Sequence, residues 1–124
     1  MKKVNVEGVA KLPSFSHATI AGDVIYVSGT FGLKPDSMEL VEGGMRAQTS
    51  QTIENIRKIL EGCGASFDNV AKMNVYVCDM SLFSEMNEAY MNAFGDSPPA
   101  RISIGGVELA LGALVEMDCI AHLD

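Results

Sequence analysis

Residues 45–80, MRAQTSQTIENIRKILEGCGASFDNVAKMNVYVCDM, carry two periodicities and a switch between them. Met45, Thr49, Ile53, Ile56 and Leu60 recur at spacings of three and four, with Arg46, Gln51, Glu54 and Lys58 mostly on other faces. That spacing predicts an amphipathic helix of roughly five turns, starting near Gly43 and stopped by the Gly-Cys-Gly at 62–64. Beyond Asn69 the period becomes two. Met73, Val75 and Val77 alternate with Asn74, Tyr76 and Cys78, the pattern of a strand with one buried face.

Working outward, SLFSEMNEAYMNAF (81–94) returns to helical spacing, with Phe83, Met86, Tyr90 and Phe94 on one stripe. Ser81 and Glu85 suit its start, and Gly95, Pro98 and Pro99 end it. Residues 101–122 read as two strands around a short turn near Leu111-Gly112-Ala113. Upstream, HATIAG and DVIYVSGTFG (17–32) read as two strands across an Ala-Gly-Asp turn. The order strand, strand, helix, strand, helix, strand, strand predicts an α+β fold, a mixed β-sheet with two helices on one face. No third helix is left to cover the other face. A symmetric oligomer would bury it.

The chain has 124 residues, 48% of them hydrophobic and 20% charged, which suits one soluble domain over 1–124. No apolar run is long enough to span a bilayer. MKKVNVEGVA lacks the apolar core of a secretory signal, so a cytoplasmic location is expected. Cys63, Cys78 and Cys119 form no CxxC pair and leave one unpaired in any arrangement, so they read as small, buried, reduced side chains rather than disulfides or a zinc site. The eight methionines read as core filling. A net charge of −7 with scattered Lys and Arg argues against a nucleic-acid partner, which would need clustered cations. It leaves room for a small anion held by one placed arginine.

Arg101 opens the run PPARISIGG (98–106) at the mouth of a β-branched strand. Alternation sets Arg101, Ser103 and Gly105 on one side of that strand, and Glu116, Asp118 and Ile120 on one side of the next. If the two strands pair, the arginine and both carboxylates approach one region. Two readings stay open: a structural ion pair or solvated face, and a pocket in which Arg101 forks onto a ligand carboxylate while Glu116 orients or deprotonates water. His17 and His122 have no metal spacing and read as surface or hydrogen-bonded residues. Ser28-Gly29 offers either a hydroxyl and backbone N–H to a ligand, or simply a bulge.

Taken in order, VIYVSGTFG, TIENIRKILEGCGASFDNVAKMNVYVCDM, FSEMNEAYMNAF, PPAR and VEMDCIA resemble the RidA/YjgF family of reactive-intermediate (enamine/imine) deaminases nearly end to end. The most specific feature is PAR followed fifteen residues later by the glutamate of VEM. The resemblance implies a chorismate-mutase-like α+β fold assembled as a homotrimer, with sites in the clefts between subunits. It implies hydrolysis of 2-imino acids such as 2-iminopropanoate and 2-iminobutanoate to 2-keto acids and ammonia, without cofactor or metal. It assigns Arg101 to the substrate carboxylate, Glu116 to the attacking water, and Ser28, Gly29 and Asn87 to substrate binding.

Two departures mark a divergent branch. Phe15 stands where the family usually has a tyrosine whose hydroxyl lines the site, and His17 is the nearest substitute donor. Ser103 stands where a cysteine is usual, next to Ile102 in place of a small residue. Retention of Glu116 favours a deaminase; Phe15 favours a non-catalytic keto-acid binder. A ribonuclease or translation inhibitor fits the acidic charge least.

Overall fold

The computed structural model describes residues 1–124. Six strands form one sheet: β1 (Lys2–Val4), β2 (Ala18–Ala21), β3 (Val24–Phe31), β4 (Val70–Val77), β5 (Ala100–Ile104) and β6 (Val115–His122). Two helices, α1 (Gly44–Gly62) and α2 (Phe83–Phe94), pack on one side of it. This is the α+β layer arrangement expected from the alternating periods. Strand β1 was not legible: three residues are too few to show a period.

The sheet order is β1-β2-β3-β6-β4-β5. All neighbours are antiparallel except β4 and β5, which are parallel because α2 forms the crossover between them. The two strands read over 101–122 are present, but the pairing between them that would bring Arg101 and Glu116 to one region does not form. β5 and β6 do not pair; β4 lies between them, and a loop with a short 3₁₀ turn at Ala110–Gly112 carries the chain across.

Inward-facing residues of the central strands make the core. Met73, Val75 and Val77 of β4 and Val115, Met117, Cys119 and Ala121 of β6 are buried beneath the helices. From α1 they meet Met45, Ile53, Ile56, Ile59 and Leu60. Burying each such aliphatic side chain stabilises the fold by roughly 1.5–3 kcal/mol. The α1 stripe also contains buried Gln48, Thr52 and Asn55, polar residues that hydropathy places outside. Each has a fixed partner: Gln48 Oε1 accepts from Leu114 N–H, Thr52 Oγ1 donates to Gln48 O, and Asn55 Nδ2 donates to the carbonyls of Phe31 and Leu33. A left-handed Gly64 (φ 79°) reverses the chain after α1, as the Gly-Cys-Gly signal predicts.

Several local expectations are refined. The start of α2 is set by Asp79 rather than Ser81: its carboxylate accepts from Ser81 N–H and caps a 3₁₀ turn, Met80–Leu82, leading into the helix. Four methionines (Met45, Met73, Met86, Met117) fill the core, while Met1, Met38, Met80 and Met91 are exposed. Cys63 and Cys119 are buried free thiols; Cys78 is only half-buried. No helix is long and apolar enough to cross a membrane.

The second sheet face has no helix over it. Tyr26, Ile102 and Ile104 on that face are 41–48% exposed, beside half-buried Asn74, Tyr76, Glu116, Asp118 and Ile120.

Candidate active site

The sequence-predicted residues fall into two groups. The first surrounds Arg101, on β5 at the sheet edge. Register places it beside Met73 of β4, and hence on the helix-covered face. Its Nη1 donates to Asn87 Oδ1 on α2 at 2.8 Å. Its guanidinium lies 4.6 Å from the ring centre of Tyr90 and 5.7 Å from that of Phe83. The sequence brought Tyr90 and Phe83 forward only as core residues, because a helical stripe does not say which strand residue it meets.

Arg101 forms no ion pair in this chain: the salt bridges join Lys34–Glu39, Arg46–Glu85, Arg46–Glu88, Arg57–Glu54 and Arg57–Glu61. The structural ion-pair reading thus fails within the subunit. A guanidinium held by one amide and two aromatic faces keeps donors free for an anion. Ser103 shares the Arg101 side of β5, and its hydroxyl, like that of Tyr90, is buried without a partner. Burial pushes the Tyr90 phenol up to about 12, with the Arg101 charge pulling the other way.

The second group centres on Glu116 of β6. A bulge in β3 sets Ser28 and Gly29 against the single residue Asp118, so the ladder skips between Val27 and Thr30. Both the bulge reading and the site reading therefore fall on the same pair. The Glu116 carboxylate occupies the space that a Cβ on Gly29 would take, so only glycine lets it lie against the strand. Burial and then the Asp118 charge push the Glu116 carboxyl above the usual carboxylate range. Asp118 accepts from Asn74 Nδ2 at 2.6 Å and from the Tyr76 hydroxyl at 3.4 Å, a network that leaves no local pattern along the chain.

Ser28 N–H donates to His17 O, and Ser28 Oγ donates to Ser16 O at 2.5 Å. Phe15 is 37% exposed and lies beside a cavity that also touches Ser28 and Gly29. His17 is no substitute donor. It is 2% exposed, its Nδ1 accepts from Val6 N–H, and its Nε2 donates to Ala10 O. Both ring nitrogens are spent on the N-terminal segment. His122 is exposed and remote from the bulge, at the other end of β6. No group of three or more His, Cys, Asp or Glu side chains is placed to hold a metal ion.

The family model described as endoribonuclease L-PSP matches residues 7–123. The chain belongs to this family, the RidA/YjgF proteins. A RutC family protein of Pyrococcus abyssi is 41% identical over 108 residues, covering 87% of this chain and 85% of that one. The mouse protein named 2-iminobutanoate/2-iminopropanoate deaminase is 38% identical over 112 residues, covering 90% and 83%. The structure of RidA from an Antarctic Psychrobacter matches with a TM-score of 0.92 at 33% identity, over 99% of this chain and all of that one. The two helices on a mixed six-stranded sheet are thus the RidA/YjgF fold. In this RidA/YjgF chain the arginine group and the glutamate group lie on opposite sides of that sheet.

Proposed function

We propose that this chain is an enamine/imine deaminase, hydrolysing 2-imino acids such as 2-iminopropanoate and 2-iminobutanoate to 2-keto acids and ammonia. The observation that carries the reading is Arg101, a guanidinium with no carboxylate of its own, framed by Asn87, Tyr90 and Phe83. The mouse, rat and cattle relatives named as imine deaminases support it.

The chemistry asks little of the protein. Arg101 forks onto the substrate carboxylate and fixes the imine carbon, which is already electrophilic. Glu116 accepts a proton from water as its oxygen bonds to that carbon, forming a carbinolamine. The substrate reacts as its N-protonated imine, so the carbinolamine is neutral. Glu116 then returns its proton to the nitrogen, the C–N bond breaks to release ammonia, and the hydroxyl loses its proton to Glu116 and so to solvent as the C=O of the keto acid forms. A carboxyl with a raised pKa suits both accepting and returning the proton. Ser28 and Gly29 line the pocket beside the water, and Ser103 lies beside Arg101; no cofactor enters any step.

Arg101 and Glu116 cannot reach one substrate from opposite faces of a single sheet. The site forms where the Arg101 group of one copy meets the Glu116 group of the next. Three copies in a ring give three such clefts and cover the apolar sheet face around Tyr26, Ile102 and Ile104.

The test is keto-acid release from imines generated in situ by an amino-acid oxidase, with semicarbazide competing for the imine. Acceleration over the uncatalysed rate, lost in Arg101→Ala with fold and assembly intact, supports the deaminase. No acceleration by the assembled protein overturns it; keto-acid binding in that case identifies a non-catalytic anion binder.

A further inference from the structure

Beside the bulge lies a cavity of ≈170 Å³, set between β3, α1 and the N-terminal loop. Phe15, Val9, Leu12, Leu33, Ile59 and Leu111 give it an apolar wall, and Ser28 and Gly29 form the side nearest Glu116. From this we infer that the cavity is the side-chain pocket of the site, and that the preferred substrates are 2-imino acids with a branched or bulky apolar side chain of four or more carbons rather than the one- or two-carbon ones. The inference rests on the deaminase reading and adds the substrate's size and polarity to it.

Position carries the first part. Gly29 both lines the cavity and makes room for the Glu116 carboxylate. Phe31, which also lines the cavity, is the register partner of Glu116. The cavity thus shares two β3 residues, Gly29 and Phe31, with the surroundings of Glu116, and a substrate whose reacting carbon sits at Glu116 places its side chain there.

Size carries the second part. A cavity of about 150 Å³ lined by apolar groups takes up benzene, so ≈170 Å³ holds an isobutyl or phenyl group and is mostly vacant around a methyl. Unfilled apolar space forfeits contact energy that a larger substrate gains.

Polarity carries the third. Four polar side chains reach the cavity, and each has its donors committed within the chain. His17 Nε2 donates to Ala10 O, Ser28 Oγ to Ser16 O, Thr30 Oγ1 to Ser28 O, and Asn55 Nδ2 to the carbonyls of both Phe31 and Leu33. A substrate amide or carboxylate would enter without a side-chain donor to meet it, at a desolvation cost that an apolar group avoids.

The experiment compares kcat/KM for the imines formed from leucine and from alanine. Dissociation constants for 4-methyl-2-oxopentanoate and pyruvate are measured alongside. The expected result is a ratio of at least about tenfold in favour of the leucine-derived imine, reduced about tenfold in Ala10→Leu, which fills the cavity. Turnover of both imines with equal or reversed preference overturns the pocket assignment and leaves the deaminase standing. No turnover of either overturns the deaminase, and binding then decides the pocket. At least tenfold tighter binding of the larger keto acid supports it, and equal binding rejects it.

Discussion

Arg101 and Glu116 are referenced to residues only three apart on the same strand: Met73 of β4 pairs with Arg101, and Tyr76 pairs with Glu116. An odd separation along a pleated strand puts the two on opposite faces. The consequence can be measured with mixed assemblies. Arg101→Ala and Glu116→Gln should each be inactive alone. Co-expressed in equal amounts, they should recover about a quarter of wild-type activity, because a mixed ring of three retains one cleft with both native groups. Recovery at the sum of the two separate activities would place both groups in one subunit.

The raised Glu116 carboxyl sets a pH dependence. As the base it must be ionised, so kcat/KM should fall on the acid side at a pH above the ordinary glutamate value of 4.5. Asp118→Asn removes the second cause of the shift and should move that limb to lower pH; an unmoved limb would show that burial alone sets it. Stability follows the same linkage. A carboxyl raised in the fold contributes stability that is full below its unfolded value and lost as pH rises through its folded value. Wild type should therefore lose thermal stability over the window just above pH 4.5, and Glu116→Gln should keep it.

Gly29→Ala tests the bulge. Its methyl group would occupy the space of the Glu116 carboxylate and displace it. A displaced base lowers kcat by on the order of a hundredfold, while a keto-acid analogue held through Arg101 should bind nearly as before. Equal losses in kcat and analogue affinity would make Gly29 a binding residue alone.

How much of this was legible follows from the kind of signal each feature leaves. The α1 and β4 periods span enough residues to declare themselves, and Val75 and Ile56 fell where the pattern put them. Strand neighbours leave no such trace. Nothing local to VEMDCIA says that β6 pairs with β3 and β4 rather than with β5, so Arg101 and Glu116 looked like candidates for one face. Inward polar residues are hidden for a related reason. Asn55 is buried because two carbonyls of a distant strand end need its amide, and that need is absent from its own helix.

His17 illustrates the same limit and yields a stability prediction. In sequence it sits two residues from Phe15 and reads as a candidate donor; in the fold it ties Val6 to Ala10. His17→Ala should remove two buried hydrogen bonds and leave a small void, costing about 2–4 kcal/mol. Denaturant melts would show this as a lower midpoint with unchanged slope. A neutral result would mean that water replaces the imidazole.

The central position of β6 has a consequence for how the molecule comes into being. It is sixth in chain order, yet it joins β3 on one side to β4 on the other. Before residues 115–122 leave the ribosome, the polypeptide consists of two partial sheets with a gap between them. The β4 and β3 rims then expose unpaired backbone, the form most open to mispairing with neighbouring nascent chains. Strand β6 is therefore a keystone laid after the strands it joins, and the interval before it arrives is when holding by a chaperone would matter most.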